Sequence, residues 1–522
     1  KYPENEQLGV DVVIPNMDYL FENSDRIAGV FLTHGHADAI GALPYLLAEA
    51  KVPVFGSELT IELAKLFVKG NDSVKKFDDF HVIDENTEID FPTATVKFFK
   101  TTHTIPDSLA IVIKTSEGNV VYTGDFKFDQ SAAVEYQTNF GRIADVGEDY
   151  VLALLSDSSD AESTVENVSD RKVAETMLET FMNAEGRIIV ACVASNILRI
   201  QQVINAAYES GRKIFLTGSE LEEIVNIALS LNKLTVPDKE LIVNFNQMKK
   251  LADDELVILE TGNAGEPIKA LQKMALGRHR QVNLHEGDLV YIATTPSVAM
   301  ETQIARTKDL IYRADAEVFE MANSKKSSGH ATPNDLKLMM NLLQPTFFIP
   351  VQGEYRSLLA HAELANELGI PYKNIFIPGK GDVVEIENGR MSVTGQVPAG
   401  NVLVDGIGVG DIGNIVLKDR KILSEDGVFV AVVTISRRLG KILSGPQIIS
   451  RGFVYMKTSE ELLTEAQKIV TDVVEENLAS DDFEWPRLKQ EVRDALSRYL
   501  FDKTKRRPVI LPMIMEASNY KK

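Results

Sequence analysis

Two histidines and an aspartate stand together in Thr33-His34-Gly35-His36-Ala37-Asp38-Ala39-Ile40. Imidazole and carboxylate are the usual ligands of zinc and manganese, so the first chemistry suggested is metal binding. The alternative is a turn whose histidines only close structural hydrogen bonds. Three further polar residues sit just past strand-like runs. His103 follows Val96-Lys97-Phe98-Phe99, Asp125 follows Val120-Val121-Tyr122-Thr123-Gly124, and Asp157 follows Val151–Leu155. Ligands carried past neighbouring strand ends converge at one sheet edge, where α/β proteins bind their ligands. If they converge, His34, His36, His103 and Asp125 make one complete tetrahedral site.

The elements that must position these residues are readable from apolar patterning. Ile27–Leu32, Thr95–Phe99, Ala110–Lys114 and Asn119–Thr123 predict strands, with a hairpin turn at Ser116-Glu117-Gly118-Asn119. Ile40–Ala50 and Leu59–Val68 predict helices. From about residue 168 helices and strands alternate: Val173–Ala184, Arg187–Cys192, Ile197–Ser210 and Arg212–Leu216 predict a parallel α/β unit. Pro333–Leu343 and Leu358–Leu368 predict helices around a strand at Thr346–Val351. Glycines crowd Asp405–Gly413, which reads as a linker. Beyond it a strand at Val428–Ile435 and long helices at Glu461–Asn477 and Trp485–Leu500 predict a small α+β module.

Composition narrows the class. The chain has 522 residues, 44% hydrophobic and 25% charged, with a net charge of −21. That length suggests about three domains. The negative charge argues against nucleic-acid binding over the whole surface, though not against a local site. Cys192 is the only cysteine, so neither a disulfide framework nor a thiolate metal cage is available. This fits a reducing cytoplasm. No apolar run approaches the roughly 18–20 residues of a membrane span. The chain opens on Lys1-Tyr2-Pro3 rather than Met, which reads as a truncated N-terminus.

Taken together, several runs resemble the ribonuclease J family, nucleases of the metallo-β-lactamase fold and β-CASP group. They are the His-x-His-x-Asp turn, Thr102-His103-Thr104-Ile105-Pro106-Asp107-Ser108 and Thr123-Gly124-Asp125-Phe126-Lys127-Phe128-Asp129. Ser156-Asp157-Ser158, Ala194-Ser195-Asn196 with Arg199, Gly265-Glu266-Pro267 and Ser328-Gly329-His330 continue the match. So do Pro350-Val351-Gln352-Gly353-Glu354-Tyr355-Arg356, Ser450–Met456 and Lys503–Pro508. The resemblance implies an αββα metallo-β-lactamase sandwich over 1–167 and 333–407, lacking its opening strands. It implies an inserted β-CASP α/β domain over 168–332, a linker over 408–420 and a C-terminal α+β domain over 421–522.

It also implies roles. The first metal, Zn²⁺ or Mn²⁺, takes His34, His36, His103 and Asp125. The second takes Asp38 and a bridging Asp125. Asp38 and His330 are the catalytic residues, His330 as general acid. Lys326, Ser327, Ser328, Gly329, His330, Ser195, Asn196 and Arg199 face RNA phosphate; an ordinary helix cap is the competing role for Ser195. Asp157 and Gln352 stand behind the metal ligands. The partners implied are RNA, a homodimer or homotetramer, a ribonuclease J paralogue in a hetero-oligomer and an RNA degradosome, with no membrane. The basic run Lys503–Arg507 reads first as a solvated helix end.

The departures are specific. The family turn continues His-x-His-x-Asp-His, and here Ala39 stands last. The family strand end reads Pro-x-His-Gly-Glu, and here the histidine is Gln352. A histidine four residues before His330 is Lys326, and Gly262-Asn263-Ala264-Gly265 replaces Gly-Ser-Gln-Gly. These changes resemble the second paralogue of bacteria that carry two. Stripped of two imidazoles, the second site suits Mn²⁺ or Mg²⁺ better than zinc. The expectation is 5′→3′ and internal RNA hydrolysis with weakened turnover. The rival expectations are a non-catalytic partner of an active paralogue and, less favoured, another hydrolase such as a lactamase.

Overall fold

Strands whose two faces are both buried carry apolar residues at successive positions, and Ala94–Lys100 is one of them. In the computed structural model Val96 and Phe98 point to one side while Phe99 points to the other. The structure describes residues 10, 12–165, 167–261, 267–293, 301–320, 328–405, 408–409, 414–453, 460–480 and 482–517. They fall into two compact units, 14–401 and, together with residues 10, 12 and 13, 402–517.

In the first unit a six-stranded sheet runs in the order Phe347–Val351, Val151–Asp157, Gly118–Tyr122, Leu109–Thr115, Ala94–Lys100, Ile89–Phe91. Its first two pairings are parallel and the rest antiparallel. A small parallel sheet, Val30–Phe31, Val54–Gly56 and Phe80–Val82, lies opposite. Val96, Phe98, Leu109 and Ile111 fill the space between the sheets with Phe31 and Phe55. Helices Phe140–Glu148, Pro333–Leu343 and Tyr355–Glu367 cover the outer face of the larger sheet. Leu43–Glu49 and Glu58–Lys69 pack beside the smaller one. This is the αββα layering expected. The two sheets are tied where chemistry is concentrated, by the Leu109 N–H to Thr33 O at 2.8 Å.

The same unit holds a second, fully parallel sheet in the order Ile242–Val243, Lys213–Thr217, Leu256–Glu260, Ile188–Ala191, Leu289–Ile292, Glu317–Phe319. Separate apolar cores cover its two faces. The second unit is a three-stranded sheet, Lys441–Arg451, Val428–Ser436 and Val509–Glu516, with two helices on one face. Leu488, Val492, Leu496 and Leu500 recur every fourth residue and bury one stripe of helix Trp485–Thr504. The basic run is that helix's end. Lys505 takes φ +59, and Arg506 donates to Glu425 O at 2.9 Å.

Three local expectations need correction. The strand expected over Ile27–Leu32 is only Val30–Phe31, the pair of residues in register with Val54 and Phe55 of the neighbouring strand. The helix expected over Ile40–Ala50 is split into Ala37–Ile40 and Leu43–Glu49. Pro44 sits in the first turn of the second piece, where its missing N–H costs no bond. The stretch expected as a linker carries strand Gly408–Val409 and the start of helix Asn414–Glu425, while Gly406, Ile407 and 410–413 lie outside the described residues.

Two buried polar contacts brace the sandwich and allow tests. Lys127 Nζ reaches both carboxylate oxygens of Asp170, at 2.9 and 2.8 Å, with both side chains buried. Removing one partner leaves a buried charge, so Lys127→Met should cost about 3–5 kcal/mol in urea unfolding. Lys127→Met/Asp170→Leu should regain most of that loss; a double variant as unstable as the single one contradicts the account. His361 is also fully buried, its Nδ1 2.9 Å from Ser158 Oγ and its ring 4.6 Å from Phe348. Burial pushes its pKa down to about 3, with Asp157 opposing. The folded chain therefore refuses a proton that the unfolded chain accepts near pH 6.5. His361 stabilises fully above that pH, and its contribution falls by roughly 1.4 kcal/mol per unit as pH drops towards 3. His361→Gln should flatten the pH dependence of the unfolding free energy between pH 6.5 and 5.5 by about 1 kcal/mol, read by urea titration.

Candidate metal centre

Each candidate ligand leaves a strand end on a short turn. His34 and His36 follow Val30–Phe31, His103 follows Ala94–Lys100, and Asp125 follows Gly118–Tyr122. Gly124 makes the last turn possible. It takes φ +61, and a Cβ there would lie 2.9 Å from Thr33 Cβ. The turn carrying His103 is pinned to the one carrying Asp125 by a β-bridge, with the Lys127 N–H on Thr102 O at 2.9 Å.

The three imidazoles gather with ring centroids 4.9–5.0 Å apart. His34 Nε2 points to Asp125 Oδ2 at 3.7 Å and is buried without a hydrogen-bond partner. Beside this trio stands a second group, Asp125, Asp157 and His330. His330 Nδ1 donates to Asp157 Oδ2 at 2.7 Å, while Asp157 Oδ1 accepts from the Ser159 N–H and hydroxyl at 3.0 and 2.7 Å.

Electrostatics separate the two groups. Burial pushes His34 down to about 3 and His36 to about 4, and His34 also feels His36. Burial and the neighbouring imidazoles hold His103 well below its usual value. All three rings are therefore neutral, the form that binds a metal. Burial and then Asp157 push Asp125 up to about 7, so two carboxylates share a site short of positive charge. His330 goes the other way. Burial opposes its charge, but Asp157 overrides and lifts it to about 10. Neutral imidazoles, crowded carboxylates and the orphaned His34 Nε2 fit a divalent cation held by His34, His36, His103 and Asp125.

The remaining expected residues scatter more. Asp38 is exposed, with Oδ1 accepting from the Ala39 N–H at 3.1 Å. Desolvation raises its pKa, but His36 and His34 outweigh that and keep it below the ordinary carboxylate range. Gln352 has φ +59 and an exposed side chain; its carbonyl, not its amide, is engaged, by the Ser158 N–H at 3.0 Å. Ser195 leans on a metal-ligand candidate, its hydroxyl 2.6 Å from His36 Nδ1. Asn196, not Ser195, caps helix Ile197–Glu209, accepting from the Arg199 N–H at 2.9 Å. Arg199, expected at phosphate, is 9% exposed and donates from Nη1 to Gln202 Oε1 at 2.7 Å, while its Nε is buried without a hydrogen-bond partner. Gly329 O accepts from His103 Nδ1 at 2.7 Å. Lys326, Ser327, Gly262–Glu266 and Val454–Met456 lie outside the described residues.

Sequence reasoning passed over Thr33, Thr104 and Tyr122. Thr33 Oγ1 is 3.0 Å from His34 Nδ1, and Thr104 Oγ1 is 2.8 Å from His36 Nε2. Thr33 orients the His34 ring from behind; His36 carries a hydroxyl on each nitrogen, Ser195 on Nδ1 and Thr104 on Nε2, so one of the two must give way when that ring holds a metal. The adjacency of Thr33 and Thr104 to His34 and His103 in the chain was the available signal. Tyr122, one strand residue short of the Asp125 turn, is pushed up to about 12 by desolvation and by Asp125, Asp157 and Asp38.

Comparison with known proteins matches four segments of the chain. Residues 8–169 match the Metallo-beta-lactamase superfamily, and 185–311 match the Ribonuclease J, beta-CASP domain. Residues 320–378 match the Zn-dependent metallo-hydrolase RNA specificity domain, and 415–517 the Ribonuclease J C-terminal domain. A protein named Ribonuclease J 2 from Streptococcus pyogenes serotype M3 is 55% identical over 99% of this chain and 93% of its own length. Ribonuclease J 2 of Staphylococcus epidermidis is 45% identical over 99% and 92%. A crystal structure of a protein of unknown function from Enterococcus faecalis V583 shares the fold, with a TM-score of 0.50 and 16% identity over 70% of this chain and 81% of that one. Among the described residues no helix is long and apolar enough to cross a membrane. With near-full-length identity to named relatives added to a buried imidazole–carboxylate centre, the chain belongs to the ribonuclease J family of metal-dependent ribonucleases, on the branch of the second paralogue.

Proposed function

We propose that this chain degrades and processes RNA from a 5′-monophosphate end in the 5′→3′ direction, with internal cuts as a second mode, and does so slowly. The observation that carries the reading is the pairing of a three-imidazole cluster with a His330–Asp157 couple at 2.7 Å. His34, His36, His103 and Asp125 would hold the first cation, Zn²⁺ or Mn²⁺. Asp38 and Asp125 would hold a weaker second one, Mn²⁺ or Mg²⁺. When bound, the cations supply Lewis-acid activation of water and neutralise phosphate charge.

The protein's own groups do the rest. The water oxygen bonds to phosphorus as the P–O3′ bond breaks. Asp38 accepts the water's proton, and His330 Nε2 delivers one to the leaving O3′. Asp157 accepts from Nδ1–H and keeps Nε2 turned outward, the orienting role a carboxylate plays behind a catalytic histidine. Slowness follows from Ala39 and Gln352, which supply no imidazole to the second cation.

The test is decay of 5′-monophosphorylated, 5′-triphosphorylated and circular RNA with Mn²⁺, Zn²⁺ or chelator. The reading expects Mn²⁺-dependent decay favouring the 5′-monophosphate. Zinc-only turnover equal to that of a full-ligand paralogue would overturn it.

A second reading, a largely non-catalytic subunit assembled with an active paralogue, has one observation in its favour. In strand Val509–Glu516, Ile510 and Ile514 face the core, while Leu511, Met513 and Met515 are 45%, 54% and 51% exposed. An apolar outer sheet face of this kind suits a second chain. The occupant would be a second copy or the paralogue, and through it an RNA degradosome in the cytoplasm. His34→Ala/Asp125→Ala separates the readings: unchanged decay by the purified double variant would leave only the subunit role.

A further inference from the structure

The turn Ser328-Gly329-His330 touches both halves of the centre. Gly329 O accepts from His103 Nδ1 at 2.7 Å, which leaves Nε2 of that ring for a metal. His330 Nδ1 donates to Asp157, and the rings of His103 and His330 lie 5.8 Å apart. The fit is close: a Cβ on Gly329 would lie 2.9 Å from His103 Cε1. The turn thus touches a ligand ring through Gly329 O alone and carries His330 beside it, and Asn167 bonds its two ends rather than Gly329.

Asn167 grips that turn at both ends. Its Oδ1 accepts from the Ser328 N–H at 2.8 Å, and its Nδ2 donates to His330 O at 2.9 Å. Ser328 Oγ closes the turn from inside, accepting from the His330 N–H at 3.1 Å. A primary amide presents a donor and an acceptor in one plane, which spanning a turn in this way requires. Asn167 is itself anchored, three residues before the Asp170 that pairs with buried Lys127. Asn167 lies on the outgoing connection to the parallel-sheet module and Ser328–His330 on the return connection.

We propose that Asn167 is a positioning residue for phosphodiester hydrolysis: it clasps the Ser328–His330 turn and so places His330 against the leaving oxygen. The proposal rests on the reading of His330 as proton donor. It differs from a loop cross-link that only adds stability. A loosened clasp slows the step that needs the His330 proton and spares a step that does not.

The test compares RNA with an oligonucleotide carrying sulfur in place of O3′ at the scissile phosphate, in Mn²⁺. A thiolate leaves without a proton. Asn167→Ala should lower kcat on the oxygen substrate about 10–100-fold, since a displacement near 1 Å costs that much, with KM little changed. On the sulfur substrate it should lose under about threefold. Metal content should match the unaltered chain, and Tm should fall by less than about 4 °C. Asn167→Asp, which keeps the acceptor for the Ser328 N–H and loses the donor to His330 O, should show the same sulfur-selective pattern. Equal slowing of both substrates by the Asn167 variants, or failure of both to fold, would overturn the proposal. His330→Ala is the companion control. If sulfur spares His330→Ala but not Asn167→Ala, the clasp fails alone. If sulfur spares neither, the proton-donor reading fails, and the clasp with it.

Discussion

His34→Ala should release the first metal and lower RNA hydrolysis roughly a thousandfold, because metal ions supply several kcal/mol of charge stabilisation and each ~1.4 kcal/mol is tenfold. His34 is the cleanest ligand to remove. Its ring is 2% exposed, its Nδ1 is occupied by Thr33, and its Nε2 has only Asp125 in front of it at 3.7 Å. His103 is less clean, since removing it also frees Gly329 O and disturbs the His330 turn. The measurements are metal per chain after gel filtration and single-turnover decay of 5′-monophosphorylated RNA. A His34→Ala chain that retains metal and rate would place the chemistry elsewhere.

The opposite experiment should raise activity. Ala39→His/Gln352→His should bind a second cation per chain and speed hydrolysis about a hundredfold, two steps of ~1.4 kcal/mol. The backbone accepts both changes. Ala39 lies exposed on the short helix Ala37–Ile40, where a longer side chain meets solvent first. Gln352 has φ +59, a conformation in which histidine is among the better tolerated non-glycine residues. The electrostatics favour capture, since Asp125 and Asp157 already crowd one another and raise the pKa of Asp125 to about 7. Metal titration by calorimetry should gain a second binding event. A double variant with one event and an unchanged rate would show that the two lost imidazoles do not limit turnover.

The two experiments bear on different residues for a reason visible in the geometry. The imidazole cluster is complete and tightly buried, so its loss is large. The Asp38 side is open and poor in nitrogen ligands, so gain is available there. Between them stands the His330–Asp157 couple, which neither substitution touches.

Much of this was legible in the residue order. Apolar runs marked Ala94–Lys100, Leu109–Thr115 and Gly118–Tyr122, because a strand covered on both faces carries apolar residues at successive positions. The candidate ligands His34, His36, His103 and Asp125 then stood three to five residues past a strand end, where backbone geometry alone limits their reach. Ala39 and Gln352 were legible for the same reason: a missing ligand type is a property of the residue itself. Helix ends were harder, as the break at Gly41-Ala42 and the cap at Asn196 illustrate, since several polar residues compete for each terminus.

Tertiary structure decided which distant side chains meet. The Ser195 hydroxyl, 159 residues away, lands on His36, and the Arg199 guanidinium is buried against Gln202. Asn167 clasps a turn 161 residues further on, although nothing in its neighbourhood of the chain marks it. Local periodicity reports only which face of an element is apolar. Hydrogen bonds between two connecting segments depend on how a whole inserted sheet returns the chain to its starting point. The residue types that make a metal centre were therefore present in the order of amino acids, while the parts that aim it came from long-range packing.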